Sequence, residues 1–170
     1  MNIAKALEIA FAHVIRAYGE IGAGVTIRCW QTLRADGSWN AAKDRDFPVI
    51  DVRCSPPAPD ESAESTAIAE CAVLCGTKAA DDKDHAAISA LYAGTQDAMD
   101  RLYAGFRGNA THAPVYAAFL AKLTDAMGAT DAALLSVGGL TYGTPSAPFN
   151  DDTVNMVGLA MRVHFSRSDF

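Results

Sequence analysis

From Val154 to Ser166 the chain alternates: Val157, Leu159, Met161, Val163 and Phe165 occupy one side, and Gly158, Ala160, Arg162 and His164 the other. Period-two patterning of this length is the signature of a β-strand with one face toward a core. A sheet is therefore required, and the rest of the chain must supply its other strands and its cover. Residues 65 to 77 provide a second long candidate. There Ala67, Ala69, Cys71, Val73 and Cys75 alternate with Thr66, Ile68, Glu70, Ala72 and Leu74, so both sides are largely apolar. This predicts a central strand covered on both faces.

Shorter strands read at Val25, Ile27 and Cys29, at Phe47 to Cys54, and at Ala132 to Tyr142. Between them the period changes to that of a helix. Ile3, Leu7, Ala10, Val14, Tyr18 and Ile21 recur at spacings of three and four, and Gly19, Gly22 and Gly24 close that run. Asp81 or Asp82 predicts an N-cap for a long helix reaching Phe106, with Ile88, Leu91, Tyr92, Met99, Leu102 and Phe106 inward and Gly105 and Gly108 at its end. A third helix has Pro114 in its first turn, carries Val115, Phe119, Leu123 and Met127, and stops at Gly128. The order predicts a single α+β domain over 1–170: a mixed, mainly antiparallel sheet with an N-terminal helix and two further helices packed on it.

Three stretches read as excursions. Ala35-Asp36-Gly37-Ser38 is turn chemistry, followed by a polar loop through Asp46. Ser55-Pro56-Pro57-Ala58-Pro59-Asp60-Glu61-Ser62 is expected to make no ladder and to stay exposed. Residues 143 to 153 form a hairpin loop longer than packing requires.

The formal charge of −6 opposes tight binding of a phosphate backbone, which needs an excess of Lys and Arg. Lys5, Glu8, His13 and Arg16 interrupt the N-terminus, leaving no apolar run for a signal peptide or membrane helix and implying a chain kept in a cytoplasm. Cys29, Cys54, Cys71 and Cys75 fall in strand-like stretches, which favours packed, reduced thiols. Cys71 and Cys75 share a face about 13 Å apart, too far for a common zinc or a disulfide. His13, His85, His112 and His164 lack ligand spacing, and Asp81-Asp82-Lys83-Asp84 and Asp44-Arg45-Asp46 lack the alternation of a calcium loop. Gly19 to Gly24 follows a helix and precedes a strand, the reverse of a dinucleotide loop, and Ser136 lacks the glycine of a nucleophile elbow. Asn109-Ala110-Thr111 matches a glycosylation triplet, with Thr111 also a candidate cap. No cofactor, metal or catalytic set is expected, so the chain should work through its surfaces.

An opening helix, the strand Val25-Thr26-Ile27-Arg28, the strand Phe47-Pro48-Val49-Ile50-Asp51-Val52, a central strand leading into a long helix, and a closing pair around a long loop together resemble the tail terminator and tail-completion proteins of long-tailed bacteriophages. The resemblance covers nearly the whole chain in element order and length. It implies a virion protein in the tail or neck, made in the host cytoplasm. Such a protein forms a homo-oligomeric ring, commonly a hexamer, that caps the tail tube and joins it to the head connector or stopper protein, with DNA passing through but not held. Loops would grip neighbouring subunits or partners, at Pro56, Pro57, Pro59 and Asp60, at Pro145, Pro148, Phe149 and Asn150, and on the last strand at Arg162 and His164. Three other readings stand beside it: another neck or connector protein of the phage head–tail interface, a small homo-oligomeric binding or assembly-chaperone module taking a peptide along its sheet edge, and an enzyme with an inter-subunit site using His164, Arg162 or Asp51.

Overall fold

The computed structural model describes residues 2–29, 46–128 and 135–167. Trp30, the expected 35–38 turn with its loop as far as residue 45, and the first residues of the expected 132–142 strand lie outside that range. Helix α1 spans Ile3–Tyr18. Asn2 starts it by accepting the Lys5 N–H at 3.0 Å, and Gly19 leaves it with extended backbone while its N–H still reaches the Ile15 carbonyl. The helix therefore ends three residues before Ile21.

Strands β1 (Thr26–Cys29), β2 (Val49–Cys54), β3 (Ala58–Asp60) and β4 (Ala63–Lys78) follow, then helices α2 (Ala86–Phe106) and α3 (Ala113–Met127), and finally β5 (Leu135–Tyr142), β6 (Phe149–Asn150) and β7 (Val154–Arg167). The sheet order is β1-β2-β4-β7-β5, with β3 beside β4 and β6 beside β7. β1 and β2 run parallel and every other pair is antiparallel, so the α+β class holds.

Register sorts the side chains into two faces. Ile27, Ile50, Cys75 and Val157 form one row; Cys29, Val52, Val73 and Leu159 form the next; Cys54, Cys71, Met161 and Tyr142 form a third. These rows join Leu7, Phe11 and Val14 of α1, Leu91, Met99 and Leu102 of α2, and Val115, Phe119 and Leu123 of α3 in one core. The other rows are Arg28, Asp51, Leu74 and Gly158, then Arg53, Ala72 and Ala160, then Glu70, Arg162 and Thr141. Ile68, Ala72, Leu74 and Ala160 on that side are only half-buried and Glu70 is exposed. Among the described residues β4 is thus central but clad by helices on one face alone, which departs from the expectation of cover on both. Small and medium apolar residues suit such a half-open face as well as a buried one.

The proline-rich excursion also departs from expectation, because Ala58, Pro59 and Asp60 pair with β4 at Ile68, Ala67 and Ala63. β4 outruns β2 by several residues and so offers free ladder groups there. Pro59 is tolerated on this short outer strand, whose other side needs no N–H. Likewise, Phe149 and Asn150 of the long loop rejoin the sheet opposite Met156 and Asn155.

Helix α2 begins later than the acidic run implies. His85, in the left-handed region at φ 60°, occupies the N-cap position without a side-chain bond. Asp82 nevertheless does the capping from upstream: it accepts the N–H groups of Ala87 at 3.0 Å and Ile88 at 2.8 Å and the Thr77 hydroxyl at 2.9 Å, and the Asn155 amide donates to its carbonyl. Gly105 lies within α2 rather than closing it. A Cβ there would stand 2.2 Å from the His112 carbonyl oxygen, so this glycine permits the tight turn into α3. At that turn Thr111 caps nothing with its side chain; His112 holds the N-cap position of α3, and Asn109 accepts the Thr111 N–H.

Burial disfavours charge on Asp82, but its two backbone donors and the Thr77 hydroxyl outweigh that and hold its carboxyl below the ordinary value. A depressed carboxyl contributes stability above its unfolded pKa and loses it as pH falls through the folded one. Asp82→Asn is expected to cost about 1–2 kcal/mol near neutral pH. Urea unfolding should show the gap to wild type narrowing as the pH falls below about 4; a gap independent of pH would remove the charge from this account.

Candidate interaction surfaces

Among the described residues, most of the charge pairing lies on the sheet face away from the helices. Arg28 donates to both Asp51 oxygens, Nε to Oδ1 at 2.6 Å and Nη2 to Oδ2 at 2.8 Å. Asp46 stands 3.6 Å from the same guanidinium, and Arg53 is 3.6 Å from Asp51. The hydrogen bonds that Arg28 donates to Asp51 raise the Arg28 pKa against the opposing effect of burial. The pair is buried, Arg28 8% and Asp51 6% exposed. Parallel β1 and β2 place these residues directly opposite each other.

Along the face, toward the far end of β7, lies a second group. Arg162 Nε binds Glu70 Oε1 at 2.7 Å, both side chains being about half exposed. His164 Nε2 and Thr141 Oγ1 are 3.0 Å apart. Asp60, at the end of β3, accepts the Ser62 hydroxyl and N–H; these bonds, with a lesser contribution from the nearby His164, hold its carboxyl below the ordinary value. Ser55 ties in through its N–H to the Glu70 carbonyl at 2.8 Å and its hydroxyl to the Glu70 N–H at 3.0 Å. Of the prolines, Pro56 and Pro59 are exposed and Pro57 half-buried. The structure therefore gathers Asp60, Arg162 and His164 into one neighbourhood.

Pro145, Pro148, Phe149 and Asn150 are elsewhere, all exposed on the loop that rejoins β7 at Asn155 and Met156. Nine residues of strand separate that point from His164, about 30 Å. Among the described residues, Phe149, at 52% exposure, and Tyr142, at 45%, are the exposed large hydrophobics. Beside Phe149 lies a groove of about 260 Å³ lined by His85, Ile88, Tyr92, Pro148, Met156 and Val157. Tyr142 is anchored, its ring 5.1 Å from that of Tyr103 and its hydroxyl bonded to Asp100. The loop is pinned at both ends: Gly143 N–H donates to the Ala160 carbonyl, and Asp151 accepts the Thr153 hydroxyl and the N–H groups of Thr153 and Val154. Between them Ser146 sits on Gly158, where a Cβ would come within 2.8 Å of the Ser146 Cβ.

His164, Arg162 and Asp51 do share one face. Asp51, however, stands opposite Leu74 and Gly158, two strands and six positions from His164, a separation on the order of 20 Å. Among the described residues no group of three or more His, Cys, Asp or Glu could hold a metal ion, and no helix is long and apolar enough to cross a membrane. The Arg28–Asp51 pair was not legible in the sequence, because its signal is a cross-strand register. Glu8 was hidden too: fully buried on α1, it accepts the Cys54 N–H at 3.0 Å. No family model and no curated protein sequence matches the chain.

Proposed function

We propose that this chain is a structural subunit that assembles with copies of itself into a ring of the tail-terminator type, capping a tail tube and joining it to a head connector or stopper. The observation that carries the reading is the one-sided helical cladding of the sheet among the described residues. Two long central strands, β4 and β7, leave a face on which half-buried Ile68, Ala72, Leu74 and Ala160 are framed by Glu70, Arg162 and His164. An apolar centre within a polar rim is the composition of a protein interface. The exposed Phe149 beside its groove adds an anchor of the kind that dominates binding energy. A head-to-tail contact between different patches closes a ring when its rotation permits. The reading rests on the resemblance in element order drawn from the sequence, and it is non-enzymatic.

Solution mass and negative-stain images test it. The expected result is a closed ring with a mass near six times the 17.9 kDa chain; a monomer at every concentration overturns it. Phe149→Asp is expected to weaken self-association at least about tenfold while leaving the circular dichroism unchanged, and an unaltered dissociation midpoint would remove Phe149 from the contact.

One observation favours the peptide-binding module instead. A second groove, of about 250 Å³, runs between α3 and the end strand β5, lined by Tyr116, Leu120, Leu123, Met127, Leu135 and Val137. A strand added to β5 would set its side chains there. A module of that kind stays monomeric or dimeric, so the same mass measurement separates the two.

A further inference from the structure

We propose that Cys54 and Cys71 are a pre-registered thiol pair that closes a cross-strand disulfide when the folded protein meets a small-molecule disulfide oxidant. The two residues face each other on β2 and β4. The Ser55 N–H donates to the Glu70 carbonyl in the next rung, and the Cys54 N–H turns away to Glu8. Cys54 and Cys71 are therefore the non-hydrogen-bonded kind of antiparallel pair, whose Cα atoms lie about 4.5 Å apart. That lies within the span a disulfide bridges, and both side chains are buried in the same core, Cys54 5% and Cys71 1% exposed.

The other thiols are poorly placed to compete. Cys75 lies four positions along β4, about 13 Å from Cys71, with its sulfur 3.5 Å from the Thr95 hydroxyl on α2. Cys29 stands opposite Val52, not Cys54. Burial first, then the neighbouring Cys71 thiol and the carboxylate of Glu8, push the Cys54 thiol well above its ordinary value, so the closed fold protects the pair. Yet Cys54 is the last residue of β2, and beyond it only the Ser55–Glu70 hydrogen bonds hold before the chain departs through Pro56 and Pro57. Local opening of that end gives a small reagent its path to the pair.

The reaction is thiol–disulfide exchange. One cysteine thiolate attacks the reagent disulfide and releases a reagent thiolate; the second displaces the other half. Two S–H bonds and one reagent S–S bond become one protein S–S bond and two reagent thiols. The protein loses two hydrogens, and two electrons pass to the reagent. The bond would close the 55–70 segment covalently and hold β3 beside Arg162 and His164.

The test is incubation of the intact protein with oxidised glutathione in native buffer, followed by alkylation, digestion and mass spectrometry. The expected main product has lost two hydrogens, joins the peptides containing Cys54 and Cys71, and leaves Cys75 open to alkylation after unfolding. Cys75→Ser should give the same link and Cys71→Ser none. In concentrated guanidinium the favoured product should shift toward the short Cys71–Cys75 loop, which identifies the native register as the cause. Four unmodified thiols after prolonged native incubation, or a main link between any other pair, overturns the proposal.

Discussion

Asp51→Ala is expected to lower the unfolding free energy by about 3–5 kcal/mol, because it strips a buried guanidinium of its bidentate partner. Arg28 would be left with Asp46, which stands 3.6 Å away and is more exposed. A buried unpaired charge costs far more than the pair contributes, since its hydration is lost with nothing in exchange. Two comparisons isolate this cause. Arg28→Met should cost less than Asp51→Ala, for the Asp51 carboxylate keeps Arg53 at 3.6 Å. The double change Arg28→Met, Asp51→Leu, which removes both charges and keeps apolar volume, should recover at least half of the loss. Denaturant midpoints at constant m give all three values. A double variant as unstable as Asp51→Ala would mean that packing, not charge, is what the site supplies.

That ion pair also marks the boundary of what sequence can show. The alternation from Val154 onward gives β7 almost to the residue, and the three-and-four spacings give α2 and α3, because periodicity is a property of one segment and needs no partner. Arg28 and Asp51 read as ordinary outward residues of two separate strands. Only the parallel pairing of β1 with β2 makes them neighbours. The interaction surfaces divide in the same way. Prolines and an acidic residue mark 55 to 62 as unusual, but β3 depends on how far β4 extends past β2, and the nearness of Asp60 to His164 depends on the β3-β4-β7 order. Composition marks the 143–153 loop, whereas the groove beside Phe149 needs α2 packed against β7. The half-open face of β4 stayed illegible for a further reason: Ala72, Leu74 and Ile68 carry the same apolar signal whether a helix or a neighbouring molecule covers them.

The helical layer hides a comparable pairing, and it sets the second large effect. Phe119 fits the inward stripe of α3, but Phe11, four residues after Leu7, is equally part of the buried stripe of α1 and falls outside the run through Leu7, Ala10 and Val14. Both rings are fully buried, with centroids 5.0 Å apart and planes tilted by 57°. This contact joins the first helix to the third across more than a hundred residues of chain. Phe119→Ala is expected to cost about 3–5 kcal/mol, from the lost transfer free energy together with the cavity that rigid neighbours cannot refill. Phe119→Leu, which keeps most of the volume, should cost less than half as much. Because Phe11→Ala opens the same cavity and loses the same ring contact, the double alanine variant should fall short of the sum by about 0.5–1.5 kcal/mol. Urea titrations of the two single variants and the double one measure that coupling. Strict additivity would show that α1 and α3 are held through their separate contacts with the sheet and with α2, and that the two rings merely lie close.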